Sequence, residues 1–432
     1  MAHEGSRLRA SAGPETTRNA RRFAIDPFAL RNKALRVLTY RPTPRHAVRV
    51  TFSLSIGAKS AAPLCAASPV TDFTSAAQGG LGRSLICFRT SPVAGGAGIM
   101  FAMPQSQPVR LGVVMDPIAA IHYPKDSTLA MLLAAQARGW SLFYMEQRDL
   151  SLRDGVARAR MRPLSVKADP AGWFELGEPR VEPLGGLDCV LMRKDPPFDT
   201  EYIYSTYVLE RAEEQGALIV NRPQGLRDIN EKVSTAWFPQ CCAPTLITRD
   251  MADMEAFLRE HGKIVVKPLD GMGGRSIFVI GQGDLNARVV FETLTGYGER
   301  FALAQRYLPD IVTGGDSRVL LIDGEPVPYA LARMPSAEDH RGNLAAGAKG
   351  VGRPLNERDR WLAGQIGPTL AARGMVFVGL DVIGGFVTEI NVTSPTGIRE
   401  LEKQFDVRIG ELVIAAIERR LAARPRRAAA GS

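Results

Sequence analysis

The sequence is poor in the groups that usually carry redox or nucleophilic chemistry: among 432 residues there are five cysteines, five histidines and four tryptophans. The cysteines, Cys65, Cys87, Cys189, Cys241 and Cys242, are odd in number and show no CxxC pair or zinc-ligand spacing. That pattern argues against a disulfide framework and against a thiolate zinc site. The adjacent Cys241 and Cys242 read as loop residues, and a reducing cytoplasm suits the set. No run of 18 apolar residues occurs, so no segment reads as a membrane-spanning helix. Acidic residues are scarce in one place. The first hundred residues hold fourteen Lys or Arg against four Asp or Glu, a net of +10, and the whole chain nets +9, which leaves −1 for residues 101–432. Nucleic-acid binding needs clustered phosphate-neutralising cations, and the balanced body offers none.

The basic head is rich in Arg, Ser, Ala and Gly and loses any sustained helical or strand period after about position 60. It reads as a disordered extension over 1–102. Its composition also fits a transit peptide, and a translation start at Met100 or Met103 accounts for it equally well. From Val109 the texture becomes strands alternating with amphipathic helices, which predicts an α/β sheet domain over 103–230. VRLGVVMDP and DCVLMRKDPP read as strands. KDSTLAMLLAAQARG reads as a helix capped by Asp126 or Ser127 and ended by Gly139, and EYIYSTYVLERAEEQG as a helix closed by Gly216. Helices are expected near Glu231 to Phe238, Asp250 to Glu260, Asn356 to Arg373 and Val407 to Leu421. KIVVKPLDG, SIFVIG, FALAQRYLP, SRVLLIDGEPVPYALAR and GLDVIGGFVTEINV read as strands. Two of these fold back, at Asp323-Gly324 and at Gly384-Gly385.

The strongest local signal is IVVKPLDGMGGRS, where a strand delivers Lys267 into a turn carrying Gly271, Gly273 and Gly274. Glycines let backbone N–H groups approach anionic oxygens, and a lysine at a strand end adds a point charge, so the loop suits phosphates. Its spacing matches neither the Walker nor the dinucleotide-binding motif. Far along the chain, LDVIGGFVTEINV offers Asp381, Glu389 and Asn391, hard oxygen ligands of the kind that hold Mg²⁺ on ATP phosphates. Glu389 and Asn391 are two apart and share one strand face. Asp381 joins them only if the hairpin register allows: a two-residue turn at Gly384-Gly385 sets Asp381 opposite Thr388. The metal reading therefore predicts a longer turn or a bulge.

Longer strings then match in order: MDPIA, LMRKDPPFDTEYIY, ERAEEQGALIVNRPQGLRDINEK, KPLDGMGG, DGEPVPYALAR, RGNLAAG and TEINVTSPTGIRE. From about Val109 to Leu421 the chain resembles the prokaryotic glutathione synthetases. The resemblance implies an ATP-grasp fold, with an N-terminal open α/β (pre-ATP-grasp) domain followed by α+β subdomains over 231–421 and a short tail over 422–432. It implies ligation of γ-glutamylcysteine to glycine with ATP and Mg²⁺ or Mn²⁺, in a homotetramer that needs no nucleic acid or membrane.

Carried over by position, Lys232 and Lys267 resemble phosphate-binding lysines, with Gly271, Gly273 and Gly274 in the covering loop. Gln305, Tyr307 and Leu308 resemble the strand that receives adenine, and Asp381, Glu389 and Asn391 the metal ligands. Arg318, Arg333 and Arg399 sit in segments matching active-site strands and loop, where guanidinium suits carboxylate and transferring phosphoryl. Lys125, Asp126, Ser127, Arg193, Asp195, Asp316, Ser394 and Thr396 are substrate candidates, and capping or loop-anchoring explains the first five about as well. The glycine-rich stretch 334–353 between strand and helix reads as a lid that brings Arg341 to the substrate and keeps water from an activated intermediate. Two other readings share the scaffold: another carboxylate–amine ligase, such as a D-alanine–D-alanine or peptide-modifying ligase, and a non-catalytic ATP-binding regulator. An intact metal set argues against the last.

The charge split makes a prediction. A chain beginning at Met103 should keep the turnover of the full chain, measured as phosphate release; a large loss would give the basic head a role in catalysis.

Overall fold

The computed structural model describes residues 107–271, 273–334 and 349–424. The basic head, Arg341, most of the expected lid and most of the expected tail lie outside the described residues. Three sheets organise the rest.

The first contains β1 (Arg110–Val114), β2 (Ser141–Met145), β3 (Leu150–Arg153), β4 (Val156–Val166), β5 (Phe174–Leu176), β6 (Arg180–Pro183), β7 (Cys189–Met192) and β8 (Leu218–Val220). Its path is β3-β4-β2-β1-β7-β8, and β2, β1, β7 and β8 run parallel. These strands are short apolar runs because each is covered on both faces. The helices are α1 (Ser127–Ala137), α2 (Thr200–Glu214) and α3 (Pro223–Asp228). Asp126 is the α1 cap, accepting the Leu129 N–H at 2.6 Å, which settles the choice between Asp126 and Ser127. By contrast β4 is antiparallel to its neighbours and alternates buried with exposed residues, as a sheet with one wet face does.

The second sheet is antiparallel, β11-β10-β12-β9, from β9 (Thr245–Thr248), β10 (Lys263–Pro268), β11 (Phe278–Gly281) and β12 (Ala302–Arg306), with α4 (Met251–His261) and α5 (Ala287–Thr295) on one face. Ile264, Val266, Ala302 and Ala304 point into that helical face with Met254 and Phe291 and form a core of their own. The alternate residues, Val265, Lys267 and Gln305, line the opposite side.

The third sheet, β15-β14-β13-β16-β17, is built from β13 (Asp316–Ile322), β14 (Glu325–Met334), β15 (Lys349–Pro354), β16 (Phe377–Ile383) and β17 (Phe386–Asn391). Around it lie α6 (Asp310–Gly314), α7 (Glu357–Ala372), α8 (Ile398–Gln404) and α9 (Ile409–Ala422). Both expected reversals are two-residue turns with positive φ at each position: Asp323 56° and Gly324 89°, Gly384 55° and Gly385 77°. α9 returns to α1, where Gly410 permits close contact; a Cβ there would stand 2.7 Å from the Ala130 carbonyl oxygen. One expectation fails. The segment Glu231 to Phe238 is not an α-helix but a 3-10 turn over Val233–Trp237. Pro239 follows, and it pushes Phe238 out of the helical region, to φ −129° and ψ 60°.

The first and third sheets share continuous apolar cores, whereas the second keeps its own. A buried asparagine fastens the shared side. Asn221, just after β8, accepts from the Val376 and Phe377 N–H groups at 2.8 and 3.0 Å and donates to the Phe377 and Val392 carbonyls at 2.8 and 2.7 Å. The four bonds run to Phe377 at the start of β16 and to Val376 and Val392, which flank β16 and β17. Replacing Asn221 by Leu leaves those backbone groups buried and unpaired, so Asn221→Leu should cost about 3 kcal/mol of unfolding free energy in denaturant titration. A loss below about 1 kcal/mol would show the clamp to be dispensable.

Candidate active site

Between the second and third sheets lies a cavity of about 760 Å³. β10 carries Lys267 into it, buried to 5% exposure, because the alternation that places Val266 in the core turns Lys267 outward. The loop after β10 takes left-handed backbone at Gly273 (φ 68°) and Gly274 (φ 76°), which glycine alone adopts freely, and at Ser276 (φ 56°). Lys232 approaches from below this loop. Its Nζ donates to the Gly271 carbonyl at 2.6 Å, is ion-paired to Glu231 and stands 3.7 Å from Glu389. Burial would lower its pKa, but Glu389 and Glu231 outweigh burial and raise it, so the ammonium stays charged at 2% exposure. Glu231 moves upward through burial and the charge of Glu389, against the pull of Lys232.

The β16–β17 hairpin combines its two-residue turn with a β-bulge. Val382 pairs with Val387, yet Asp381 pairs with Glu389, so Thr388 is the extra residue. Asp381 and Glu389 become cross-strand partners, and Gly379 faces Asn391. The bulge also turns the Thr388 carbonyl toward Lys267, whose Nζ donates to it at 3.4 Å and lies 3.7 Å from Glu389.

Two guanidiniums grip Asp381 from β13 and β14. Arg318 donates from Nε to Oδ1 at 2.5 Å and from Nη2 to Oδ2 at 3.1 Å, and Arg333 Nη2 lies 2.9 Å from Oδ2. Burial pushes the Asp381 pKa up, but Arg318 and Arg333 together overcome that and hold it well below the usual carboxylate range. Arg333 also pairs with Asp316, and Arg318 donates to the Thr396 carbonyl at 3.2 Å. Burial lifts Asp316 from its ordinary 3.8 to about 6 despite Arg333, and its Oδ1 is buried without a hydrogen-bond partner.

Of the residues singled out in the sequence, Lys232, Lys267, Gly271, Gly273, Gly274, Gln305, Tyr307, Leu308, Asp316, Arg318, Arg333, Asp381, Glu389, Asn391, Asp195, Ser394 and Thr396 all line this cavity. Asp195 reaches it from the first domain and accepts from the Ser394 hydroxyl. Lys125, Asp126, Ser127, Arg193 and Arg399 are not in the lining. Asp126 caps α1, and the buried Ser127 hydroxyl accepts the Ile398 N–H at 3.2 Å. Arg193 donates to Thr128 Oγ1 at 3.1 Å and to the Pro395 carbonyl at 3.0 Å, anchoring the loop that holds Ser394 and Thr396. Arg399 covers the Tyr123 ring at 4.5 Å, and Lys125 is exposed beside the α1 cap. Sequence reading passed over Glu231, although an acid directly before the candidate Lys232 was a usable signal. It also passed over the apolar lining residues Ile277, Phe278, Ile311 and Ile383, which are scattered along the chain.

Chemically, the cavity joins four buried cations to a carboxylate-and-amide edge and apolar lining residues, a setting for a nucleotide polyphosphate. Among the described residues no three His, Cys, Asp or Glu side chains cluster as a metal site. The oxygen set here is two carboxylates plus the amide of Asn391. Asn391 donates from Nδ2 to Asp381 at 3.2 Å, which leaves its amide oxygen free for a hard cation. That donor set fits a divalent metal bound together with phosphate oxygens.

Comparison with known proteins agrees. The family model for the prokaryotic glutathione synthetase N-terminal domain matches residues 109–227, and that for the ATP-grasp domain of the same family matches 231–406. The glutathione synthetase of Pseudomonas putida is 61% identical over 316 residues, covering 73% of this chain and 99% of the relative. That of Shewanella oneidensis is 59% identical over 313 residues, 72% of this chain and 99% of the relative. Among solved structures, the D-cycloserine synthetase DcsG superposes with a TM-score of 0.51 at 16% identity, over 72% of this chain and 99% of its own, a likeness of fold alone.

The raised Asp316 pKa predicts a pH effect. A carboxyl with a folded pKa above its unfolded value contributes stability that is fully present below about 3.8 and is lost as pH rises through about 6. Asp316→Asn should remove that slope and shift stability relative to the unaltered chain by on the order of 2–3 kcal/mol between pH 4 and pH 7. Parallel stability–pH curves from urea unfolding would contradict it.

Proposed function

The chain belongs to the prokaryotic glutathione synthetase family and is an ATP-dependent ligase, and from that premise we propose a full reaction and a role for each side of the cavity. The reaction is γ-glutamylcysteine + glycine + ATP → glutathione + ADP + phosphate. The observation that carries this reading is the convergence of two charged sets on one hairpin beside the cavity: Lys232 and Lys267 near Glu389, and Arg318 and Arg333 on its cross-strand partner Asp381.

Residues 231–421 take the nucleotide. Gln305, Tyr307 and Leu308 receive adenine, the glycine loop covers the phosphates, and Lys232 and Lys267 neutralise them. Mg²⁺, held by Asp381, Glu389 and Asn391, would offset charge on the β- and γ-phosphates. Arg318 and Arg333 orient the cysteinyl carboxylate of γ-glutamylcysteine for attack on the γ-phosphorus, releasing ADP and forming an acyl phosphate. Their fixed guanidiniums are worth most as charge moves onto the transferring oxygens. Asp195, Ser394 and Thr396, held by the residues 103–230 domain and its Arg193 anchor, position the dipeptide. The glycine amine then attacks the acyl carbon, loses a proton and expels phosphate. No nucleophilic Ser or Cys is required. Mn²⁺ in place of Mg²⁺, a cytoplasmic location and a homotetrameric assembly belong to the same proposal.

Phosphate release from Mg-ATP tests it. Turnover should require γ-glutamylcysteine and glycine together, and Glu389→Gln should lower it by roughly 10²-fold or more while the chain still folds, as circular dichroism reads it. Turnover on D-alanine pairs would refute the substrate assignment, and an active Glu389→Gln protein the metal role.

A further inference from the structure

Val265, Gln305 and Thr245 form one cross-strand row over β10, β12 and β9 on the cavity side of the second sheet. Gln305 is 4% exposed, so its amide orientation is decided by neighbours and not by bulk water. Thr245 decides it. Its hydroxyl donates to the Ala243 carbonyl at 2.8 Å. A hydroxyl has one hydrogen, so toward Gln305 it acts as acceptor only. The Gln305 atom 2.8 Å from Thr245 Oγ1 is therefore the donor Nε2. A flipped amide would set two acceptor oxygens against each other. Gln305 Oε1 has no hydrogen-bond partner among the described residues and is not among the sealed, unsatisfied atoms, so the residue offers the cavity an acceptor.

We propose that Thr245 is a specificity-determining positioning residue: by locking the Gln305 amide it makes the site accept a purine with a 6-amino group and reject one with a 6-oxo group. This rests on the reading that the base lies along Gln305 to Leu308. A 6-amino group donates to Oε1, whereas a 6-oxo group meets it lone pair to lone pair. Without the Thr245 hydroxyl the amide is free to rotate and greet the 6-oxo group with Nε2.

The test compares kcat/KM for ATP, GTP and ITP, the last carrying the 6-oxo group without a 2-amino group. The unaltered protein should favour ATP over ITP by at least about 100-fold. Thr245→Val and Thr245→Ala should each narrow that ratio by about tenfold or more, mainly through KM, and Thr245→Ser should keep it. Equilibrium binding of ATP and ITP gives the same ratios without turnover and applies to either variant that folds. A ratio within twofold of the unaltered protein in whichever of Thr245→Val and Thr245→Ala folds, or a narrowed ratio in Thr245→Ser, overturns the role of Thr245. Gln305→Leu separates the two layers. If it changes the ratio and Thr245→Val does not, the base reading stands and the relay falls; if Gln305→Leu also leaves the ratio unchanged, both fall.

Discussion

With Thr388 inserted between the pairs Val382–Val387 and Asp381–Glu389, the two-residue alternation of β17 restarts one position later. Had the hairpin stayed regular, Asp381 would have faced Thr388, and Glu389 would have stood on the other face of the sheet. The insertion brings Asp381, Glu389 and Asn391 to one face and presents a backbone carbonyl to Lys267. The placement of Asp381, in turn, orders the arginines. Arg318 and Arg333 come from neighbouring strands and would repel each other if buried without the carboxylate they share.

The cations survive burial because the chain supplies their counter-ions. Lys232, Lys267, Arg318 and Arg333 are matched by Glu231, Glu389, Asp316 and Asp381. The second sheet, with a core of its own, meets the rest largely through polar contacts around the cavity: Lys267 to the Thr388 carbonyl, Lys232 to the Gly271 carbonyl and Asn230 to the Leu269 carbonyl at 3.1 Å. The first and third sheets share apolar core and the Asn221 clamp. Lys267 and Lys232 thus link an independently packed sheet to the two sheets that share a core.

Much of the fold was legible because it is local. Apolar runs marked β1, β7 and β10; Asp126, Asp250 and Asn356 sit one residue before α1, α4 and α7 and cap them; Asp323-Gly324 and Gly384-Gly385 turn as such pairs must. The segment after Glu231 misled because its apolar residues suggested a helix, while Pro239 held its end outside helical geometry. Asp126 was legible as the α1 cap, whereas for Ser127 and Arg193 a structural role and a substrate contact stood as equal readings. A cap and a ligand contact call for the same polar atoms, and only the partner distinguishes them.

By itself the sequence determined the elements, the balanced body beneath a basic head and, through long matched strings, the family. These depend on propensity, charge and residue order, all carried by short stretches of chain. Which acids face which cations, that Asp316 is driven toward its protonated form, and that Thr245 locks the Gln305 amide were decided only by the tertiary structure. Register, burial and hydrogen-bond direction arise between strands tens of residues apart, and the free energy of each group depends on what the fold has placed beside it.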